Sequence, residues 1–317
     1  MHYHTVRTTK RRLGWALCAL LSLGPTQGAL ACAFHGYTPN PTLVDLLLAT
    51  EQAVVARTTS RGTYEIVNAL LGPDLGTIPV SASANFRSQL NKDTTSTALL
   101  VRDGAYGPWI EVTVLDARFR TIIETVVQNQ SAWQLGRDAG RIKLFASLVN
   151  DPNPNIQRLA FQELDRLPYA TLKDVRVPPI HRLLEDIEAG ETDQRPIRIL
   201  LAGLSNDRSF GPVLASALHR AVRQDKSYLG AYVTALIELQ GRPAVEAIIA
   251  HYLATGATAQ SVQEKMLNAL ALQYKTARGG IRRTIAREVA NLVRDNPEMA
   301  APVIAQFGPQ VSGRILR

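Results

Sequence analysis

The chain has 317 residues, of which 46% are hydrophobic and 20% are charged, and its formal net charge at pH 7 is +8. Two cysteines in this length exclude a scaffold held together by several disulfides, so buried apolar cores must supply the stability. The length is sufficient for two domains of ordinary size.

The N-terminal residues have the pattern of a secretory signal peptide. Residues 1–12 hold four basic side chains and no acid, and the eleven residues 13–23 are uncharged. This run is shorter than the ~20 residues that a membrane-spanning helix needs. Ala29 and Ala31 form a small-x-small cleavage site just downstream. The pattern predicts a signal peptide over residues 1–31 and a chain that is exported, either periplasmic or secreted, and not transmembrane.

Removal of this segment changes the charge and cysteine arguments. Residues 1–31 contain four basic residues and Cys18, so the remaining 286 residues have a net charge near +4 and Cys32 as their single thiol. A modest charge does not point to nucleic acid, and a lone cysteine excludes an intramolecular disulfide. We therefore expect no specific nucleic-acid partner.

Residues 32–130 have the pattern of a small β domain. Five short segments alternate β-branched or aromatic residues with polar ones and are separated by turn residues. They are residues 52–59, 63–71, 77–82, 97–103 and 109–116. A helix-like segment, 41–50, precedes them, and residues 117–130 are compatible with a final helix. This series predicts a small closed or partly closed β-barrel.

Residues 131–317 are helical in pattern. Apolar residues recur every three or four positions in segments that are paired across Asn, Asp, Gly and Pro turns. Small residues recur at spacings of 42, 33 and 34, at Ala160, Ala202, Ala235 and Ala269. Such spacing is typical of stacked helix pairs, because one pair cannot bury its own apolar face. The sequence therefore predicts an α+β multidomain chain in which a β-barrel precedes an α-solenoid.

Two segments resemble known families. The stretch DPNPNIQRLAFQEL, residues 151–164, resembles the opening helix of a HEAT repeat, and this resemblance extends over residues 139–306. It implies that residues 131–317 form a HEAT-like helical repeat domain.

The region from Cys32 to Gln130 is similar to netrin-like domains of the metalloproteinase-inhibitor type, which are OB barrels. Tissue inhibitors begin Cys-x-Cys, whereas this chain has Cys32-Ala33-Phe34 and no second cysteine for a disulfide. The resemblance therefore implies the barrel fold and does not carry inhibition over to Cys32. The full arrangement also resembles a group of secreted bacterial proteins.

The common catalytic motifs are missing from the sequence. It contains no phosphate-binding loop, dinucleotide fingerprint, Gly-x-Ser-x-Gly elbow or His-Glu-x-x-His pair. Four histidines follow residue 31, at His35, His181, His219 and His251, and they are far apart in the chain. We expect the last three to face solvent or to pack with satisfied rings, and we expect the protein not to be an enzyme.

A basic cluster lies near the C-terminus. Five basic residues fall within thirteen positions, namely Lys275, Arg278, Arg282, Arg283 and Arg287. On a helix, residues four apart stack in rows, and repulsion within such rows favours either an anionic partner or full solvation. The cluster is therefore a candidate face for an anionic partner, with a solvated outer surface as the alternative.

Cys32 and His35 are the candidate metal ligands. If Cys32 is N-terminal after cleavage, its α-amine and thiol can close one chelate ring, and the His35 imidazole adds a donor suited to zinc or copper. In one alternative, Cys32 packs as a small apolar residue and His35 begins a loop. In another, Cys32 is acylated as a lipid anchor, although Ala29 and Leu30 fit ordinary signal peptidase better than a lipobox.

These observations favour an exported, non-enzymatic binding or scaffold protein. We expect it to contact another protein through a helical-repeat surface and through the loops of the barrel. The alternatives are an envelope lipoprotein acylated at Cys32 and an enzyme with an unrecognised site.

Overall fold

The computed structural model describes residues 41–180, 183, 194–224 and 228–316. A five-stranded antiparallel sheet forms the N-terminal part, and helices follow it. The predicted signal peptide, the candidate ligands Cys32 and His35, and His181 lie outside the described residues.

All five predicted strands are confirmed. They are β1 (Gln52–Thr58), β2 (Thr63–Leu71), β3 (Thr77–Ser81), β4 (Thr97–Arg102) and β5 (Ile110–Leu115). Their order in the sheet is β3-β2-β1-β4-β5, and each neighbouring pair is antiparallel. Register shifts interrupt the pairing of β1 with β2 and of β4 with β5. Such irregularities increase twist, and the sheet curls into a half-barrel.

Three helices accompany the sheet: α1 (Leu43–Ala49), α2 (Ala84–Leu90) and α3 (Ala117–Gln128). The sequence predicts a helix at α1 and is compatible with one at α3, whereas it gives no indication of α2. Each begins at a residue whose side-chain oxygen accepts from a backbone N–H three positions on, at Thr42, Ser83 and Asp116. These caps satisfy donors that the first turn of a helix leaves free.

Strand β1 is buried on both faces, because residues 53–56 have no exposed surface. Ala53 and Val55 belong to a large apolar core that also contains residues of α1, α3 and the later helices. Val54 and Ala56 point to the opposite face, where they form a second core with Tyr64, Phe86 of α2 and others. Because successive side chains of β1 point to opposite faces of the sheet, this one strand contributes residues to both cores.

The curl of the sheet is secured by Glu111 of β5. Its Oε1 accepts a hydrogen bond from Tyr64 Oη of β2 at 2.5 Å and one from the Ser83 backbone N–H at 2.8 Å. Burial, followed by the bond to Glu111, raises the pKa of Tyr64 above its ordinary range. Burial also acts to raise the pKa of Glu111, but the bonds from Ser83 and Tyr64 outweigh it and lower that pKa.

Twelve α-helices are described after the sheet and α3. They are α4 (Gln130–Gln134), α5 (Ala139–Ser147), α6 (Pro154–Asp165), α7 (Tyr169–Leu172), α8 (Arg195–Leu204), α9 (Phe210–Arg223), α10 (Leu229–Gln240), α11 (Arg242–Ile248), α12 (Gln260–Thr276), α13 (Gly279–Asp295), α14 (Ala300–Phe307) and α15 (Pro309–Ile315). A π-helical turn, Ile249–Leu253, extends α11, and a 3-10 turn, Pro297–Met299, precedes α14. Within the described ranges, no helix combines the length and apolar character needed to cross a membrane.

Alternate helices pack side by side. Helix α6 contacts α8, α8 contacts α10, α10 contacts α12, and α12 contacts α14. A second series runs alongside, in which α11 contacts α13 and α13 contacts α15. The four alanines predicted to lie at packing points, Ala160, Ala202, Ala235 and Ala269, have no exposed surface.

Helices α8 and α10 approach each other very closely. A Cβ added at Gly203 would lie 2.4 Å from Ala235 Cα and 2.7 Å from Ala235 Cβ. Real Cβ atoms do not approach backbone this closely, so Gly203 allows the two helices to meet.

A polar clamp joins the start of the described chain to helices α5 and α6. Thr42 Oγ1 donates a hydrogen bond to Glu163. Arg141 lies between two carboxylates, with its Nε 2.6 Å from Glu163 Oε2 and its Nη2 3.0 Å from Asp45 Oδ1. Arg166 forms a further ion pair with Asp45. Each carboxylate of the clamp therefore has a cationic partner, which offsets the cost of burying it.

We predict that Gly203→Ala destabilises the protein by about 1–3 kcal/mol, because overpacking a tight helix contact forces the helices apart. Gly313→Ala is the matched control, since Gly313 also lies in a helix and has open space around its Cβ position. That change should be neutral or slightly stabilising. Chemical denaturation of both variants measures the difference, and equal free energies of unfolding would contradict the close approach.

We predict that Glu111→Gln lowers the melting temperature at about pH 7 and that this deficit shrinks as the pH falls below 4.5. The folded-state pKa of Glu111 lies below its ordinary value of 4.5. The ionised carboxylate therefore stabilises the folded protein above pH 4.5, and this stabilisation is lost as the pH falls through the folded-state pKa. Thermal unfolding across this range measures the effect, with Glu65→Gln, at an exposed position of β2, as the control. A deficit that persists at low pH would refute the assignment.

Candidate functional site

Two turns meet at one end of the curled sheet. The β2–β3 turn, residues 72–76, and the β4–β5 turn, residues 103–109, both flank the start of β1. Strand pairing requires this placement, because Ala53 pairs with Leu71 and Gln52 pairs with Arg102. We refer to residues 72–76 and 102–110 together as the turn end.

The turn end concentrates exposed apolar side chains. Tyr106 is 100% exposed, Ile110 is 52% exposed and Leu75 is 45% exposed. Among the described residues, the large hydrophobic side chains exposed to this degree are Val67, Leu75, Tyr106, Ile110, Leu135 and Ile304. Half of these side chains therefore lie at one end of the sheet. Single exposed hydrophobic residues scattered over a surface are ordinary, but a concentration of them indicates an interaction site.

An arginine is held over an indole ring at the turn end. The Arg102 guanidinium carbon lies 4.7 Å from the centroid of the Trp109 ring. Its Nη2 and Nε donate to Gln52 Oε1 at 2.5 and 3.1 Å, which holds the guanidinium in place. Because stacking and hydrogen bonding act together, both side chains are ordered before any partner arrives.

The backbone of the β4–β5 turn explains why the sequence needs glycine there. A Cβ added at Gly107 would lie 2.3 Å from the Asp103 carbonyl oxygen. Gly104 has a φ of +62°, in the left-handed region that favours glycine. These two glycines allow a tight turn that presents Tyr106 at its tip.

The five residues of the predicted basic cluster are all exposed in the structure, at the junction of α12 and α13. Arg287 is engaged by acids, with Nη2 3.0 Å from Glu246 Oε1 and 2.7 Å from Glu288 Oε1. Arg282 instead donates to the last carbonyls of α12, including that of Tyr274 at 3.0 Å. Two of the five cations therefore have a structural role that the sequence pattern did not indicate.

A buried polar network joins α7, α10 and α12, and the sequence analysis missed it. Glu238 Oε1 accepts from Tyr169 Oη at 2.7 Å and from Gln273 Nε2 at 2.8 Å, and it lies 2.6 Å from Lys173 Nζ. Burial, together with the charge of Glu238, raises the pKa of Tyr169. The phenol therefore stays protonated as a donor, which suits a structural tie and not a general base.

The sequence assigns no site to the histidines of the helical part. His219 and His251 are exposed, on α9 and on the π-helical turn. Over the described ranges, no three His, Cys, Asp or Glu side chains form a group that could hold a metal ion. The zinc or copper site predicted at Cys32 and His35 lies outside those ranges and stays a prediction.

No protein-family model, curated protein or solved structure matches this chain. Its function must therefore be argued from its own surface chemistry. The turn end is the strongest candidate site, because exposed apolar side chains and the Arg102–Trp109 stack lie at the same end of the sheet.

We predict that Arg282→Gln and Arg283→Gln differ in their effect on stability, although they are neighbours in the basic cluster. Arg282 donates to carbonyl oxygens at the end of α12, so its replacement should cost about 1 kcal/mol or less. Arg283→Gln is the control and should leave the free energy of unfolding nearly unchanged. Equal losses in both variants would argue against the capping role.

Proposed function

We propose that this chain is an exported binding or scaffold protein that contacts another protein through the turn end of its sheet. In this proposal the sheet is an OB-type, netrin-like barrel, and the helices from α5 onward form a HEAT-like solenoid. The protein acts by presenting a surface, and the helical part holds that surface in place.

The fold proposals are supported by connectivity. An OB barrel is a partly open, five-stranded Greek-key barrel, and the order β3-β2-β1-β4-β5 with a helix between β3 and β4 is compatible with that architecture. The contacts of α6 with α8, α8 with α10 and α10 with α12 are the nearest-neighbour contacts that stacked repeats make.

Export is supported by the sequence pattern of residues 1–31. The basic start, the short apolar run and the small residues before Cys32 are typical of a cleaved signal. An envelope lipoprotein acylated at Cys32 is the alternative localisation. Measuring the intact mass of the exported chain distinguishes a free thiol from an acylated one.

The observation that carries the binding proposal is that the turn end holds both the fully exposed Tyr106 and the Arg102–Trp109 stack. Tyr, Trp and Arg are the residues that dominate the energetics of protein interfaces. Leu75 and Ile110 add exposed apolar surface at the same end of the sheet, and covering such surface with a partner is favourable. The cavities identified among the described residues include no residue of the turn end, and exposed aromatic and apolar side chains suit a folded protein partner better than a small molecule, which prefers a concave site.

We predict that a photoreactive phenylalanine analogue at position 106 crosslinks one reproducible protein in the native envelope. The same analogue at position 135 is the matched control, because Leu135 is 75% exposed and lies outside the turn end. The captured protein, once purified, should bind Tyr106→Ala about tenfold or more weakly than wild type, since interface tyrosines are frequent hot spots. Leu135→Ala should bind like wild type.

Two results would contradict this proposal. Identical capture patterns from positions 106 and 135 would mean that the turn end has no preferred partner. Unchanged affinity of Tyr106→Ala for the purified partner would place the contact elsewhere. Because Tyr106 is fully exposed, its replacement should leave the melting temperature unchanged, so a loss of binding cannot be attributed to unfolding.

A further inference from the structure

An apolar groove runs along one face of helix α5. It has a volume of about 840 Å³ and lies between α5 and residues 171–178. This volume is within the range of about 300–1,000 Å³ that is typical of ligand sites. The α5 residues that line it follow the helical period and span about 12 Å, at Ala139, Ile142, Lys143, Ala146 and Ser147. We refer to this feature as the α5 groove.

The inner lining of the α5 groove is apolar and largely shielded from water. On α5, Ala146 is 3% exposed. On the opposite wall, Val175 and Val177 are half-buried. They alternate with Asp174 and Arg176, which are exposed. The groove can therefore cover an apolar chain while its charged side chains stay at the rim.

Prolines make the wall opposite α5 rigid. Val177 is followed by Pro178 and Pro179, and a residue that precedes proline is held in an extended conformation. Asn150, which lies just after α5, donates from Nδ2 to the Pro179 carbonyl oxygen at 2.8 Å. This bond ties the wall to the end of the helix. Because the wall is ordered in advance, a ligand does not have to order it on binding.

Two cations at the rim of the α5 groove lack partners within the described chain. Lys143 lies on α5 and Arg176 on the opposite wall, and both are exposed. Neither forms a hydrogen bond or an ion pair with a described residue, whereas Arg141 of the same helix pairs with two carboxylates. Asp174 is the one acid among the lining residues, and it pairs with neither cation. The rim therefore has a positive excess that favours an anionic group.

We propose that the α5 groove binds a single-chain amphiphile with one negatively charged head group. The apolar chain lies against Ala146, Val175 and Val177, where it leaves water. The head group lies at the rim, where Lys143 and Arg176 supply charged donors from the two walls. This ligand is a small molecule in a concave site, so the proposal is independent of the protein partner proposed for the turn end.

The probes are octanoate, decanoate and dodecanoate, which share one carboxylate and differ only in chain length. Calorimetric titration of the exported chain, below the concentrations at which the probes form micelles, measures their affinity. We expect one decanoate per chain and about tenfold tighter binding for each step along the series, since each step buries two more methylenes. Decyltrimethylammonium is the matched control ligand, because it has the chain of decanoate and the opposite charge. It should bind at least tenfold more weakly than decanoate.

Two double variants test the role of the rim. Lys143→Gln with Arg176→Gln removes both rim cations and should weaken decanoate binding about tenfold. Arg137→Gln with Arg283→Gln is the matched control, because it removes the same charge from exposed positions that do not line the groove. It should bind decanoate like wild type. Val177→Asp should weaken binding further than either, since a carboxylate would enter the apolar lining.

Four results would overturn the proposal. The first is the absence of saturable binding of dodecanoate, whether or not the protein binds vesicles of phosphatidylglycerol, because vesicle binding alone would make this surface a membrane contact. The second is equal affinity for decanoate and decyltrimethylammonium. The third is affinity that does not change along the carboxylate series. The fourth is an equal loss of affinity in the two double variants, which would reduce the effect to net charge. None of these results depends on capture of a partner at position 106.

Discussion

The fold depends on the burial of strand β1 on both of its faces. Residues 53–56 have no exposed surface, so apolar layers must cover the sheet from both sides. One side is covered by α2 across the inside of the curl, and the other by α1, α3 and the later helices, whose core is continuous with that of the sheet. Removing the helical layer would expose alternate residues of β1, and removing α2 would expose the others. The sheet and the helices therefore stabilise each other through one central strand.

Polar contacts orient these layers more than they hold them together. The clamp of Asp45, Arg141 and Glu163 pairs both carboxylates with an arginine, and the bonds from Tyr64 and Ser83 to Glu111 secure the curl. Pairs of this kind add little net stability over apolar packing, but losing one partner leaves a charge without compensation. The clamp fixes where the chain enters α1. The curl determines which turns meet at the turn end.

Much of the secondary structure could be predicted from residue patterns. Strand alternation and helical periodicity located all five strands and the main helices, because each pattern reflects a face that must be buried. Helix α2 was missed, since its seven residues bury only Phe86 and Leu90, too few for a clear period. Ser83, as a helix-starting residue, was the signal that could have revealed it. The roles of Arg282 and Arg287 were also missed, because their partners are set by how α11, α12 and α13 pack.

The sequence by itself determined the local elements, the burial of the four packing alanines and the glycine-rich turn that carries Tyr106. Each depends on residues close in the chain, whose conformational preferences and periodicity act locally. Only the tertiary structure decided that residues 72–76 and 102–110 share one end of the sheet, that Arg102 lies over Trp109, and that Arg141 joins Asp45 of α1 to Glu163 of α6. These contacts depend on the order of the strands and on the packing of the helices. Both bring together residues that are far apart in the chain, so no short segment of the sequence can predict them.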